Sequence, residues 1–409
     1  MIPAEQLPAK LGARLDLLRG VRVLDLTTSI AGPAATQLLG DLGATVVKIE
    51  RPRGGDDARS WGPPFLDGES LWFTSVNRNK RSLTLDIGSP TGYGIFERLV
   101  SHADVVVVNL VIHAQRKLRI DADSLRAVNT ALIHVSVTGF GLAGRRASQP
   151  CYDLIAEGYS GVMDLTGEPE TGPQKVGSPA ADLLAGSDAA LATIAALYRR
   201  QRDGKGCQVD VSMVESMTRF MAPRISSYLG SGEQPQRSGG RDSVIAIYRV
   251  FDTADLPITL GLGNDSIWQR FWKALDRPEY AANPLYATNA ARREYRATIV
   301  ADIATLLKVR GRAEWLALFE KHGIPAGPIH RVADVASDPD LLASGFLYSI
   351  ERTGTRIPQI GLGIKFDGNS ESCDAAPPKL GQDTRLVLKD WLGATDAEID
   401  GLRAAKAIS

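Results

Sequence analysis

Glu50, Arg51 and Arg53 stand together just after the apolar run TVVKIE and just before a Gly-Gly turn. An acid at the end of a second strand is where a dinucleotide-binding unit holds its ribose hydroxyls. Cations directly after it change that reading. A guanidinium there suits a ribose that carries a phosphate, because its fork takes two phosphate oxygens at once. Coenzyme A carries a 3′-phosphate on its adenosine ribose. The same residues also suit a solvated basic turn, and the stretch alone leaves both readings open. A second polar set lies in SVNRNKRSLTLDI, where Asn77, Arg78, Lys80 and Arg81 precede a strand-like run from Ser82 to Asp86 and could close over an anion. A charge run is more often a solvated face. Asp182, in VGSPAADLLAG, sits at a helix start, where an aspartate commonly caps free N–H groups.

The surrounding elements alternate. From Val21 to about Arg200, β-rich runs such as VRVLDL, TVVKIE, DVVVVNL and ALIHVSV are separated by helical ones such as PAATQLLGDLG and YGIFERLVSHA. Solidly apolar strands in βαβαβ order imply a parallel sheet covered on both faces, hence a doubly wound α/β domain with ligands at the carboxyl ends of its strands. The first strand-to-helix turn, TTSIAGP, offers only Gly32 of the three glycines in a dinucleotide fingerprint, which disfavours NAD or FAD. DLLAGSDAALATIAALYRR predicts a closely packed helix stopped by DGKG, and QVDVSMVESMTRFM a strand running into a helix. Composition then turns polar and glycine-rich in SGEQPQRSGGR, a boundary or an active-site loop. IAIYRVFDTADLPITLGLG predicts an antiparallel hairpin, and residues 265–321 are mostly helical. The chain therefore divides into a large Rossmann-like domain (1–222), a small α+β domain (223–330) and a return segment (331–409) that completes the large one.

With 409 residues, 44% of them hydrophobic and 23% charged, the chain can bury a sizeable core in two or three domains. Lys+Arg and Asp+Glu both number 47, so no global field points to nucleic acid or an anionic membrane. Cys151, Cys207 and Cys373 are widely spaced and form no CxxC, which argues against a disulfide scaffold and a zinc site and fits a reducing cytoplasm. The first twenty residues lack an apolar export segment, and no membrane span is expected.

Several stretches in one order resemble the class III CoA-transferases, a family that includes formyl-CoA, carnitine and bile-acid CoA-transferases and the α-methylacyl-CoA racemases. They are GVRVLDLTTSIAGPAATQLLGDLGATVVKIERP, SVNRNKRSLTLDI, ADVVVVNL, VSVTGFG, YDLIAEGYSGVMDLTG, VGSPAADLLAG, DGKGCQVDVSMVESM, GIPAGPI and APPKLG. The resemblance implies a Rossmann-like large domain and a small domain in each of two chains threaded as interlocked rings. It implies no permanently bound cofactor, with coenzyme A and acyl-CoA as substrates beside a carboxylic acid. It names Asp182 as the nucleophile, ionised at its helix terminus. Attack on a thioester gives a mixed anhydride, then an aspartyl-CoA thioester that carries CoA to the acceptor without ATP. Gly239 and Gly240 match a loop that shields the anhydride from water and donates N–H groups to its oxygens. Arg51 matches a CoA-contacting arginine, Leu85 lies in a strand lining the CoA, and Asn109 follows the VVVV strand at a CoA contact. Lys117 replaces a usual arginine. Ile30 and Ala31 belong to the turn at the CoA, and Ile30 stands where formyl-CoA enzymes have a glutamine, which argues against formyl or oxalyl chemistry.

Racemases of the family place a histidine before the aspartate of the YD-like motif; here that position is Tyr152, beside Asp153. A tyrosine with an ordinary pKa near ~10 is a poor base at neutral pH, so transfer is favoured over racemisation. A racemase or a non-catalytic CoA-binding protein remains the alternative. Trp61 matches an aromatic near the active site or is a core residue. Arg145 and Arg146 replace a usual Gly-Pro and could meet the second carboxylate of a diacid such as succinate.

Overall fold

The computed structural model describes residues 5–10 and 13–409. Two compact units form: one comprises the chain up to Val162, Lys175–Leu229 and Ala336–Ser409, the other Met163–Gln174 and Gly230–Val335. The small unit thus starts at 230 rather than 223 and ends at 335 rather than 330. It also recruits Met163–Gln174, which the sequence reading left in the large domain. The physical reason is a local lock: the Gly239 N–H donates to the Gly167 carbonyl (3.0 Å), and Arg237 Nη1 to the Asp164 carbonyl (3.0 Å).

The large unit is built on six strands: β1 (Arg22–Leu26), β2 (Thr45–Glu50), β3 (Lys80–Thr84), β4 (Val105–Val108), β5 (Ile133–Thr138) and β6 (Cys207–Ser212). All pair in parallel, in the order β3-β2-β1-β4-β5-β6. This is the Rossmann order, whose direction reverses between β1 and β4 and leaves a ligand crevice beyond their carboxyl ends. Leu24, Val47, Leu83 and Val106 are buried together with Phe96 and Leu99 of α2 (Pro90–Ser101). Their chain neighbours Val23, Val46 and Val105 point to the opposite face and are buried as well. Covering on both faces explains why these strands read as unbroken apolar runs.

Helix α1 (Ala31–Asp41) follows β1, and α5 (Ala180–Asp203) lies against it. A Cβ on Gly186 of α5 would sit 2.7 Å from the Ala31 carbonyl oxygen, so glycine permits the close approach. By length and composition α5 could also cross a membrane. It is instead a core helix of this unit, with Ala181, Ala185 and Ala189 fully buried. Helix α4 (Asp153–Ser160) meets its start.

In the small unit, strands β7 (Tyr248–Phe251), β8 (Ile258–Gly261) and β9 (Ala326–Pro328) pair antiparallel in that order. Helices α6 (Asp265–Ala274), α7 (Arg296–Leu307) and α8 (Arg312–Lys321) bury Trp268, Phe271, Trp272, Ile303 and Phe319 in a core of their own. The hairpin and helices expected from the sequence are found there.

Candidate active site

At the β1–α1 turn, the backbone donors that would cradle a pyrophosphate in a dinucleotide fold are already used. The Thr27 N–H donates to Asp25, the Thr28 N–H to Asn109 Oδ1 and the Ser29 N–H to Asp56 Oδ1. Asn109 Nδ2 returns a bond to the Thr28 carbonyl (2.8 Å), tying the end of β4 to this turn. Ser29 takes the left-handed conformation (φ 69°) that a glycine takes in the fingerprint. These bonds account for the missing glycines.

Beyond the strand ends lies a cavity of about 340 Å³, lined by Thr28, Ile49, Arg51, Leu85, Leu110 and Leu118 among others. It is apolar on most sides, with Arg51 at its edge. Glu50 also faces it, yet its carboxylate is consumed: Oε1 and Oε2 accept a forked pair from Arg59 (2.7 and 2.8 Å), and Ser82 donates to Oε1 (2.6 Å). Burial works against the charge, but Arg59, Lys48 and Ser82 together outweigh it and hold Glu50 below its ordinary pKa. Glu50 is therefore a structural acid and not a ribose ligand. Arg51 is largely exposed and contacts the Gly55 carbonyl and Asp57 (2.5 Å). Of the other expected contacts, Leu85 lines the cavity, and Lys117 is exposed on α3 (Ile112–Leu118), next to the lining Leu118. Ile30 and Ala31 are buried. Ile30 packs with Ala34 and Val76, and Trp61 covers them.

The cations of NRNKR do not close over an anion. Arg78 is buried in a forked ion pair with Asp41 (2.9 and 2.6 Å). Lys80 is buried against Asp25 (3.0 Å) and Asn77 Oδ1 (2.8 Å), and Arg81 pairs with Asp390. Lys48 joins the same buried network through Asp56 (2.8 Å) and the Thr27 carbonyl (2.7 Å). Burial would raise Asp25, but the two ammonium groups outweigh it and hold its carboxylate well below the usual range. Burial lowers Lys80 to about 8 against the pull of Asp25. A buried charge needs fixed counter-charges, and here they anchor the β1–α1 turn.

Asp182 lies in the first turn of α5 and is half-buried. It does not cap the helix. Asp153, at the start of α4, reaches across and accepts two of the first-turn donors at Oδ1: Ala181 N–H (2.8 Å) and Asp182 N–H (3.3 Å). The Asp182 carboxylate makes no hydrogen bond or ion pair to a described residue. Burial, reinforced by the Asp153 charge, pushes its pKa up to about 7. The expectation that the helix terminus keeps Asp182 ionised is corrected: Asp153 takes the N–H groups, and its own negative charge opposes a second one. Glu157, one turn along α4, is raised too, by burial and then by Asp153. Its Oε2 accepts the Val176 N–H (2.9 Å). Neighbouring Cys151 is pushed up to about 11 by burial and Asp182, so its thiol stays protonated and is a poor nucleophile. Asp153 and Glu157 escaped the sequence reading as site residues. Their i, i+4 spacing places both on one helix face and is the signal that was there.

Tyr152 is exposed and precedes α4. The Arg146 guanidinium lies over the Tyr159 ring (4.5 Å), and Arg145 is exposed. Gly239 and Gly240 belong to the small unit and line a second cavity, of about 550 Å³. Gly239 has φ 57°, and a Cβ there would overlap the Glu168 carboxylate. Since the Gly239 N–H is bonded to Gly167, only Gly240 of the two makes no backbone bond to a described residue through its N–H.

The chain matches CoA-transferase family III over residues 18–384. It is 37% identical over 380 residues to a succinate–glutarate CoA-transferase of Agrobacterium fabrum, covering 91% of this chain and 95% of that protein. It is 34% identical over 392 residues to the succinyl-CoA:glutarate CoA-transferase of Homo sapiens, covering 96% and 90% respectively. The crystal structure of a CAIB/BAIF family protein from Brucella suis is 37% identical and gives a TM-score of 0.81 over 93% of this chain and 100% of that one. The Rossmann strand order, the crevice at its switch point and these matches along nearly the whole length agree: the chain belongs to CoA-transferase family III, the class III CoA-transferases.

Proposed function

We propose that this enzyme moves coenzyme A from succinyl-CoA to a dicarboxylic acid, with Asp182 as the covalent nucleophile. The observation that carries the reading is the Asp182 carboxylate: half-buried, unbonded, and freed from capping by Asp153. The names of the relatives support the donor and the acid class. Asp182 attacks the thioester carbonyl and expels CoA thiolate, leaving an aspartyl–succinyl anhydride. The thiolate attacks the aspartyl carbon, releases succinate and leaves an aspartyl-CoA thioester. The acceptor carboxylate attacks that thioester, forms a new anhydride and expels thiolate. Thiolate then attacks the acceptor's acyl carbon and regenerates Asp182. The overall reaction trades one acyl-CoA thioester for another of similar energy, so no ATP and no resident cofactor enter.

The adenosine end of CoA occupies the large-unit cavity, its 3′-phosphate replacing Asp57 as the partner of Arg51. Leu85 forms the cavity wall and Lys117 adds positive charge at its rim. Asn109 holds the Thr28 turn, while Ile30 and Ala31 shape that turn from the core side. The Gly239–Gly240 loop keeps the shielding role that the resemblance gives it, with the Gly240 N–H as donor. The enzyme works as an interlocked homodimer in the cytoplasm.

The test is mass spectrometry of the full chain after incubation with succinyl-CoA and trapping with hydroxylamine or borohydride. The expected result is a modified Asp182 peptide, absent from Asp182→Asn, whose exchange activity falls by about 10³-fold or more. CoA binding with no adduct on any carboxylate would refute the transfer chemistry. Solvent deuterium entering the α-carbon of an acyl-CoA would put a racemase in its place.

A further inference from the structure

The small-unit cavity contains a feature that the chemistry at Asp182 does not use. Its lining includes two guanidinium-bearing residues, Arg241 and Arg249, one carboxylate, Asp242, the Gly239–Gly240 loop and the apolar side chains of Val250, Leu260 and Ala326. Arg241 is exposed, and among the described residues the Arg249 side chain donates only to its neighbour's carbonyl, from Nε to Val250 O (3.2 Å). Two more cations gather behind them. Arg296 is lowered by burial and then by Arg293, Arg241 and Arg249 together, with Asp242 pulling the other way. Its Nη2 is bonded to the Ile245 carbonyl (2.7 Å), while Nε is buried without a partner.

Asp242 offsets part of this charge, acting on Arg296 against the other arginines. Asp242 Oδ1 accepts the N–H groups of Val244 and Ile245 (2.6 and 2.8 Å) and so closes its own loop. Glu168 is exposed and stands beside Gly239. Two guanidinium groups and one carboxylate line this open cavity with apolar walls. Glycines keep it open: a Cβ on Gly261 would meet the Tyr248 ring at 3.0 Å, and one on Gly240 would meet Val250 at 3.0 Å.

We propose that this cavity is a carboxylate site, in which Arg241 and Arg249 bind the free end of a short-chain dicarboxylic acid while its methylenes lie on the apolar wall. Guanidinium forks match a carboxylate bidentately, and two of them on one cavity wall give an anion more donors than the single Asp242 carboxylate opposes. A phosphate would satisfy the same forks, so the test separates the two anions. The choice of a dicarboxylic acid as the ligand rests on the transfer reading above. As a binding site, the cavity can be measured without any transfer.

The experiment is calorimetric titration of the full-length, CoA-free protein with glutarate, butyrate and adenosine 3′,5′-bisphosphate. Each titration is repeated on Arg249→Met, Arg241→Met and Asp182→Asn, with thermal unfolding as the check on folding. Glutarate is expected to bind, and each arginine variant to weaken it by about tenfold or more. Butyrate should bind weakly and equally to all variants, and Asp182→Asn should keep the glutarate response. Arg241 is exposed, so its variant keeps the test informative if Arg249→Met misfolds. Unchanged glutarate affinity in the folded arginine variants overturns the proposal, as does butyrate binding that matches glutarate. Bisphosphate binding that alone depends on these arginines would make the cavity a phosphate site and overturn it equally. Arginine-dependent glutarate binding in a protein that forms no adduct on Asp182 would leave this site standing and remove the transfer reading.

Discussion

Replacing Asp153 by asparagine tests the electrostatics of the proposed nucleophile. An attacking carboxylate must be ionised, and Asp182 is raised from 3.8 to about 7 by burial and by the Asp153 charge. With the ionised form present only above that value, anhydride formation should fall about tenfold for each pH unit below 7. At pH 6 roughly a tenth of the enzyme is then competent, where an ordinary carboxylate would be ionised almost completely. The Asp153→Asn side chain would keep an Oδ1 to accept the Ala181 and Asp182 N–H groups, so the cap survives. It carries no charge, so the part of the rise due to Asp153 disappears and burial remains. The acid limb should therefore move to lower pH, and the variant should gain several-fold over wild type at pH 6, to a ceiling of about tenfold. At pH 8.5 it should gain nothing, and it should lose modestly because a less basic carboxylate is a weaker nucleophile. The assay is single-turnover release of CoA thiol from succinyl-CoA between pH 5.5 and 8.5. A wild-type acid limb near 4, or a limb that Asp153→Asn leaves in place, would refute the reasoning.

Two further perturbations test the scaffold. Lys80→Met removes the nearer of the two ammonium groups from fully buried Asp25, leaving Lys48 at 3.9 Å, and strands Asn77 Oδ1; weakening this buried pair should cost about 3 kcal/mol, read from the denaturant midpoint. Gly186→Ala drives a Cβ to 2.7 Å from the Ala31 carbonyl and 3.2 Å from Ala34; the overpacking between α1 and α5 should cost about 1–3 kcal/mol, again read from equilibrium unfolding.

What the sequence revealed and what it hid divide by range. The strands were legible because a parallel sheet buried on both faces leaves its mark residue by residue, as in VVVV at 105–108. The small unit was legible only in part: composition changes near Gly230, but the reading started the domain at 223 and left Met163–Gln174 in the large one. The NRNKR cluster was misread because charge is visible in a sequence and burial is not: Arg78 finds Asp41 and Lys80 finds Asp25 across 37 and 55 residues. The glycine fingerprint failed for a related reason. Close helix packing is supplied by Gly186 from a distant helix, and the left-handed turn residue is Ser29, whose N–H is held by Asp56.

The state of Asp182 shows the same limit at the site itself. A resemblance could name the residue, and a helix-dipole argument predicted an ionised carboxylate. The outcome turned on Asp153, twenty-eight residues before the Ala181 N–H that it accepts. One oxygen of that group both fills the N-terminal donors and places a negative charge beside the first-turn aspartate. A helix terminus stabilises an anion only while its N–H groups are free to face it. Once another carboxylate holds them, the terminus no longer stabilises the first-turn aspartate, and burial with the neighbouring charge pushes Asp182 up.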